Sequence, residues 1–373
     1  MASVTHQPPA NDELEVSLFG PGYGEAVALH IGCGLWILVD SCISPTSQEP
    51  ATIQYLKSIG VDPSTSVKLI VVTHWHDDHI RGLASTVNQC NQADLVISDA
   101  LTKKEFVTLI TSYSSHTIPD GTGIDELTRV YQYLYPRREV GARFPNLVFA
   151  TPNRLLLREE LKIGSPGLEA KIFSLSPSDA ASLQAKLSFI QLLPRGGNPR
   201  SPIASPPQNL TSVALWVDIA GTLILLGADI ENTEDPTMGW SAIITNSIVT
   251  NSPAQVFKVP HHGSITGHNE QVWNSLLVTN PYALISPFVR GGKLIPTPDD
   301  IQRIRALTRN AYVTSLPSFK KWRPRGNVDD LMDQATQSVQ EVKLGWGQLR
   351  LRKSFLDSSL SCIVDLIGDA MRL

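Results

Sequence analysis

The sequence predicts a layered α/β fold, and three observations point to it. Short apolar strands alternate with helical segments: a helix over Pro50–Ile59, a strand over Leu69–Val72, a short helix from Gly82 to about Val87 and a strand over Asp94–Ile97. Further strand and hairpin signals run through the second half of the chain. Apolar residues make up 42% of 373, enough for a sizeable core in one large domain or two.

In chain order, residues 1–13 read as a loose polar tail. Leu14–Phe19 is strand-like and ends in the turn cluster Gly20-Pro21-Gly22-Tyr23-Gly24. Ala26–His30 and Leu35–Val39 form a hairpin through Gly32-Cys33-Gly34, ending at Asp40-Ser41. In the Pro50–Ile59 helix, Ile53, Leu56 and Ile59 recur three apart, and Gly60 closes it. Residues 100–145 read as a helical insertion over the mouth of the site, with helices over Leu101–Ser114 and Gly123–Tyr135 and His116 in a solvent-facing loop between them.

Strands resume at Leu147–Ala150, Arg154–Leu157 and Ala170–Leu175, followed by a helix over Ala180–Leu193. A Pro/Gly/Ser-rich stretch, about 194–207, reads as a loop or lid. Val213–Val217 and Leu223–Leu226 form a hairpin, and Val256–Val259 is a strand. Ile265–Leu277 reads as loop then helix, Tyr282–Ser286 as a strand, Pro298–Leu307 as a helix and Ala311–Ser315 as the last core strand. Residues 317–373 form a C-terminal extension packed on the 14–316 domain. In it, Glu341–Leu344 and Gln348–Leu351 pair around Gly345-Trp346-Gly347 at a sheet edge, and Lys320-Lys321-Trp322-Arg323-Pro324-Arg325 is a basic, aromatic loop.

A net charge of −4 and a pI near 6.1 give no global electrostatic case for coating nucleic acid, although a local basic groove is compatible with them. Cys33, Cys42, Cys90 and Cys362 contain no CxxC pair, and Cys33 and Cys42 flank an apolar strand as core residues. The first residues lack the apolar stretch of a signal peptide, and no run of 18 apolar residues occurs. The expectation is a soluble cytoplasmic protein, with no membrane partner and an oligomeric state left open.

The stretch that carries chemistry is Thr73-His74-Trp75-His76-Asp77-Asp78-His79, directly after the buried strand Leu69–Val72. His74 and His76 are two apart, so in extended chain they point the same way, and Asp78 and His79 can face them after the turn. Imidazole and carboxylate suit Zn²⁺ and, with more oxygen, Mn²⁺ or Fe²⁺. A second cluster lies far along the chain. Asp229 follows a buried strand and Gly227-Ala228, and Lys258-Val259-Pro260-His261-His262-Gly263-Ser264 follows another.

The first stretch resembles the HxHxDH signature of the metallo-β-lactamase-fold hydrolases. The second resembles a subgroup of them, the metallo-hydrolase domain of bacterial DNA-uptake channel proteins and its soluble relatives. The resemblance covers about residues 14–316 and implies an αββα sandwich with metals at one rim. It implies that His74 and His76 bind one metal, that Asp78 and His79 bind a second, that Asp229 bridges them, and that His262, or alternatively His261, completes the second site. Asp40 supports the metal loop, and Asp77, Asn209, Lys258, His261 and Ser264 stand as supporting or substrate-contacting residues. Asn209 and Ser212 match the subgroup's Asn-x-x-Ser. The subgroup's Asn-x-x-x-His-Pro is absent, and no third histidine for the first metal occurs between His116 and His261.

The implied activity is hydrolysis by a metal-activated water, with one or two divalent ions, Zn or Mn, and with Asp78, His79 and Asp229 beside that water. The reading is of a phosphodiesterase or nuclease, whose phosphodiester partner is nucleic acid or nucleotide. A lactone, thioester or β-lactam hydrolase is the alternative, and a binding protein with a degenerate metal site a further one.

Overall fold

A computed structural model describes residues 6–373 apart from 22–23, 103–105, 107, 109–122, 140–145, 164–166, 193–207, 291–292, 322–339, 344, 356 and 358–360. Strands β1 (Glu13–Pro21), β2 (Ala26–His30), β3 (Trp36–Val39), β4 (Val67–Val72), β5 (Asp94–Ser98) and β6 (Leu147–Ala150) belong to a first sheet. Strands β7 (Arg154–Glu160), β8 (Glu169–Ser174), β9 (Leu215–Ile219), β10 (Thr222–Leu226), β11 (Ala254–Lys258), β12 (Leu277–Ile285) and β13 (Ala311–Val313) belong to a second. The chain end supplies β14 (Trp346–Ser354) and β15 (Ile363–Gly368) to the first sheet and β16 (Met371–Arg372) to the second. The orders are β15-β14-β1-β2-β3-β4-β5-β6 and β16-β13-β12-β11-β10-β9-β8-β7.

The period-two geometry of a strand explains the layering. In β4, Leu69 and Val71 enter the core between the sheets, while Ile70 and Val72 pack outward under helices. Both faces are covered, which is why the run reads as continuously apolar. Helices α1 (Ala51–Ser58), α2 (Leu83–Gln89), α3 (Gly123–Glu139) and α4 (Asp179–Leu192) contribute to the core outside the first sheet. Helices α5 (Gly239–Asn246) and α6 (Pro298–Leu307) cover the second sheet through Trp240, Ile243 and Ile304. The molecule is the predicted αββα sandwich. Thr297 opens α6 with a capping box, accepting from the Asp300 N–H while the Asp300 carboxylate accepts from the Thr297 N–H.

Several expectations change. Glu341–Leu344 and Gln348–Leu351 do not pair with each other: Gln340–Lys343 pairs with Ser318–Lys321, while β14 lies between β1 and β15, inside the first sheet. Gly347 and its neighbours carry the chain into a nine-residue ladder with β1 instead of turning it back. The tail is tied down from Ala10 onward: Ala10 and Asn11 accept bonds from the Glu13 and Cys33 N–H groups. A small hairpin, Phe288–Arg290 with Lys293–Ile295, stands where the sequence predicts no strand. The helix expected over Ile265–Leu277 is a short 3₁₀ turn and a π-turn. His116, the Pro/Gly-rich loop, most of the Leu101–Ser114 helix and Trp322–Arg325 lie outside the described residues. All four cysteines are free, and no described helix is long and apolar enough to cross a membrane.

Candidate metal centre

Parallel strands β3, β4 and β5 of the first sheet, and β10 and β11 of the second, end at one rim. The strand ends place the histidines and carboxylates there. After β4 the chain runs extended through His74 to His76 and then turns at Asp77–Ile80, with the His79 N–H bonded to the His76 carbonyl. That turn brings His79 back against His74, with ring centroids 4.2 Å apart. Asp229 arrives from the end of β10, and His262 from the turn after β11.

Three groups have potential ligand atoms within 4.8 Å of one another: Glu25, Asp40 and His79, and the two that meet at the centre. His74, His76 and Asp229 form the first of these two, and Asp78, His79 and His262 the second. Asp229 lies between them. Its Oδ2 is 3.8 Å from His74 Nε2 and 3.5 Å from His262 Nε2, and its Oδ1 is 3.4 Å from His79 Nε2. His262 Nε2 is 3.0 Å from Asp78 Oδ2. His76 Nδ1 and Asp78 Oδ1 are 2.7 Å apart, yet not aligned as a hydrogen bond.

Partners on the far side fix which nitrogen faces the centre. His79 Nδ1 donates to Asp40 Oδ2 at 2.8 Å, and His262 Nδ1 donates to the Ser286 carbonyl at 3.0 Å. Thr73 Oγ1 donates to Asp40 Oδ2 and so accepts from His74 Nδ1, 3.0 Å away. In all three rings Nε2 is left as an acceptor pointing inward. His74 Nε2, His79 Nε2, both Asp78 oxygens and Asp229 Oδ1 are buried with no hydrogen-bond partner. Buried acceptors left unpaired cost about 1–3 kcal/mol each, so such convergence fits a divalent cation, for which this N/O donor set is suited.

The charges set the protonation of the metal-free cluster. Burial alone would raise the Asp229 carboxyl, but His262, His79 and Lys258 outweigh it and hold it well below the usual carboxylate range. Asp78 behaves alike: burial opposes, and His79 and His262 prevail. Burial pulls His79 down, yet Asp229, Asp78, Asp40 and Glu25 carry it well above an ordinary imidazole. Burial also works against His262, which Asp229 and Asp78 lift to about 10. Burial and the neighbouring His79 keep His74 neutral. Without cations, protons on His79 and His262 balance the carboxylates.

Of the supporting residues, Asp40 accepts from the Thr73 N–H and hydroxyl and from His79. Asp77 faces away and accepts from the Gly123 N–H at 2.7 Å, fixing the start of α3. A Cβ on Gly123 would stand 2.1 Å from the Trp75 carbonyl, so glycine permits that contact. The described part of the insertion therefore braces the motif; Glu126 adds bonds to the Gly82 and Ala84 N–H groups. Lys258, buried, donates to the Ala228 carbonyl and pairs with Glu25. Ser264 Oγ accepts from the Thr266 N–H and lies outside both groups. Asn209 reaches the site only indirectly, donating to Glu231 Oε2, while Glu231 Oε1 is 3.0 Å from His261 Nδ1.

His262, not His261, joins the cluster. His261, His262 and Gly263 have φ of 47°, 55° and 87°, and this left-handed run turns the two rings apart. Arg303 of α6 holds it by donating to the Gly263 carbonyl. Glu25 was missed altogether. Its N–H bonds the Asp78 carbonyl, its Oε1 pairs with Lys258, and its Oε2 lies 3.5 Å from His262 Nδ1. A lysine ending a buried strand signals the need for an acid, but nothing local says which one.

Residues 20–146 match the family model described as the metallo-β-lactamase superfamily. Members of this superfamily are metal-dependent hydrolases that usually hold one or two divalent ions, which agrees with the two ligand groups. Similar solved structures include the Rm3 metallo-β-lactamase, 13% identical over 89% of this chain and 94% of that one, with a TM-score of 0.35. Another is the metallo-β-lactamase fold protein YhfI from Bacillus subtilis, 13% identical over 81% and 95%, with a TM-score of 0.38. No curated protein matches the sequence.

Proposed function

We propose that the chain is a metal-dependent phosphodiesterase. The observation that carries the metal part is the pair of ligand groups meeting at Asp229, with buried acceptors left unpaired between them. His74, His76 and Asp229 would hold one ion, and Asp78, His79, His262 and Asp229 the other; Zn²⁺ or Mn²⁺ fits the donors. The choice of a phosphodiester rests on the Lys258–Ser264 block and its likeness to the DNA-uptake hydrolases.

Bound divalent ions supply Lewis acidity and bring the ionisation of water towards neutral pH. The chain's own residues do the rest. Asp40, Thr73 and the Ser286 carbonyl hold the imidazoles in one tautomer. Asp78 is held well below the usual carboxylate range and stays ionised, as a cation ligand must. Phe288 stacks on His262 at 5.1 Å and lies 6.1 Å from His76, screening that side from solvent.

The test is a panel of bis-p-nitrophenyl phosphate, cyclic nucleotides, RNA and linear DNA beside lactones, thioesters and β-lactams, with Zn²⁺ or Mn²⁺. Diester cleavage is expected, with His76→Ala lowering kcat/KM by about a hundredfold or more. Turnover of carbonyl substrates alone would overturn the phosphodiesterase reading.

A further inference from the structure

A cavity of about 760 Å³ opens beside the metal centre, walled by the loop after β8, the segment before β9, the loop after β10, and α5. β8 and β10 are both antiparallel to β9, so both loops open onto the same rim as the ligand groups. The cavity abuts the cluster at three places. Ile230 and Glu231 directly follow Asp229. Thr266 bonds the Nδ1 of His261, the chain neighbour of His262, at 2.7 Å. Ser212 precedes Val213, whose N–H bonds the Thr73 carbonyl next to His74.

The wall has a distinct chemistry. Asparagine, serine and threonine side chains supply amides and hydroxyls, and among the described lining residues the charged ones are the acids Asp179 and Glu231, with no Lys or Arg. A polynucleotide track needs the opposite, a cationic groove that neutralises successive phosphates. Here a further phosphate would meet two carboxylates.

We infer that this cavity binds an uncharged, hydroxyl- and amide-bearing group of nucleoside size, attached to the single phosphate that the metal centre receives. The substrate is then a small phosphodiester and not a nucleic-acid strand. The volume lies within the range of about 300–1,000 Å³ that encloses ligands of this kind. The inference rests on the phosphodiesterase reading for the phosphate, but the cavity can be tested without it.

The probes are the p-nitrophenyl ester of thymidine monophosphate and methyl p-nitrophenyl phosphate, which carries no nucleoside. The metal-loaded full chain is expected to favour the nucleoside ester by about tenfold or more in kcat/KM. Ala180→Trp, which fills the wall, should bring that ratio down to about one. Thr237→Trp, on an exposed loop of the same wall, is the second variant should the first fold poorly. Equal rates for the two esters, or a ratio that neither variant moves, would overturn the inference. So would single-stranded DNA that competes as well as thymidine monophosphate does. If no diester is cleaved, the phosphodiesterase reading fails by itself, and calorimetry with free thymidine decides the cavity. Binding weakened about tenfold by Ala180→Trp supports it, and no binding overturns it.

Discussion

At the residue scale, Asp40 shows how much of the centre is set by groups that never face it. Its carboxylate accepts from the Thr73 N–H, the Thr73 hydroxyl and His79 Nδ1, and through Thr73 it also fixes His74. Its backbone lies at φ 60°, a conformation that asparagine tolerates as well as aspartate. Asp40→Asn should therefore keep the fold while replacing one acceptor by a donor. Metal affinity is expected to fall about 10- to 100-fold, read by competition with a chromogenic chelator alongside an unchanged circular-dichroism spectrum. Unchanged affinity would show that His79 and His74 need no outer partner. The inward-facing ligands were legible in the sequence because four of them fall within six positions and the strand period says which share a side. The resemblance already favoured His262, the residue before Gly263, over His261; the left-handed backbone angles that turn the two rings apart are not visible in two adjacent identical side chains.

At the element scale, the two sheets are joined under the centre by a buried ion pair. Lys258 ends β11, and Glu25 lies in the turn between β1 and β2, so their contact ties the second sheet to the first. Burial disfavours the Lys258 ammonium, but Glu25 and Asp229 raise it above an ordinary lysine, which keeps it charged. Lys258→Met leaves Glu25 buried without its cation and is expected to cost about 3–5 kcal/mol in denaturant unfolding of the metal-free protein. Adding Glu25→Gln should recover more than about half of that, giving a coupling energy well above 1 kcal/mol in the double-mutant cycle. Additive single effects would refute the linkage. Local patterns located β11 and the lysine, and likewise most helices and strands, because each is marked by its own period, cap or glycine. They did not locate Glu25, because its role arises only when the β1–β2 turn folds under Asp78.

At the scale of the whole molecule, the chain end closes the first sheet. Sequence separation hides this: β14 pairs with β1 through nine residues more than three hundred positions away, and no local signal in Trp346–Ser354 names that partner. The pairing also buries charge. Glu15 is fully buried between the hydroxyls of Tyr55 and Ser17 and the guanidinium of Arg352, whose Nε lies 2.8 Å from Glu15 Oε2. Ending the chain at residue 345 would open the β1 ladder, at about 1 kcal/mol per lost hydrogen bond, and strand Glu15 at about 3–5 kcal/mol. Together these rival the whole stability of a typical domain, about 5–15 kcal/mol. The shortened chain should lose its cooperative thermal transition and, with it, tight metal binding. Arg352→Met isolates the second contribution, and should leave the transition cooperative but destabilised by about 3–5 kcal/mol. A shortened chain that still melts cooperatively and holds its metal would mean that β1 through β13 fold unaided, and that the last strands only cover what is already built.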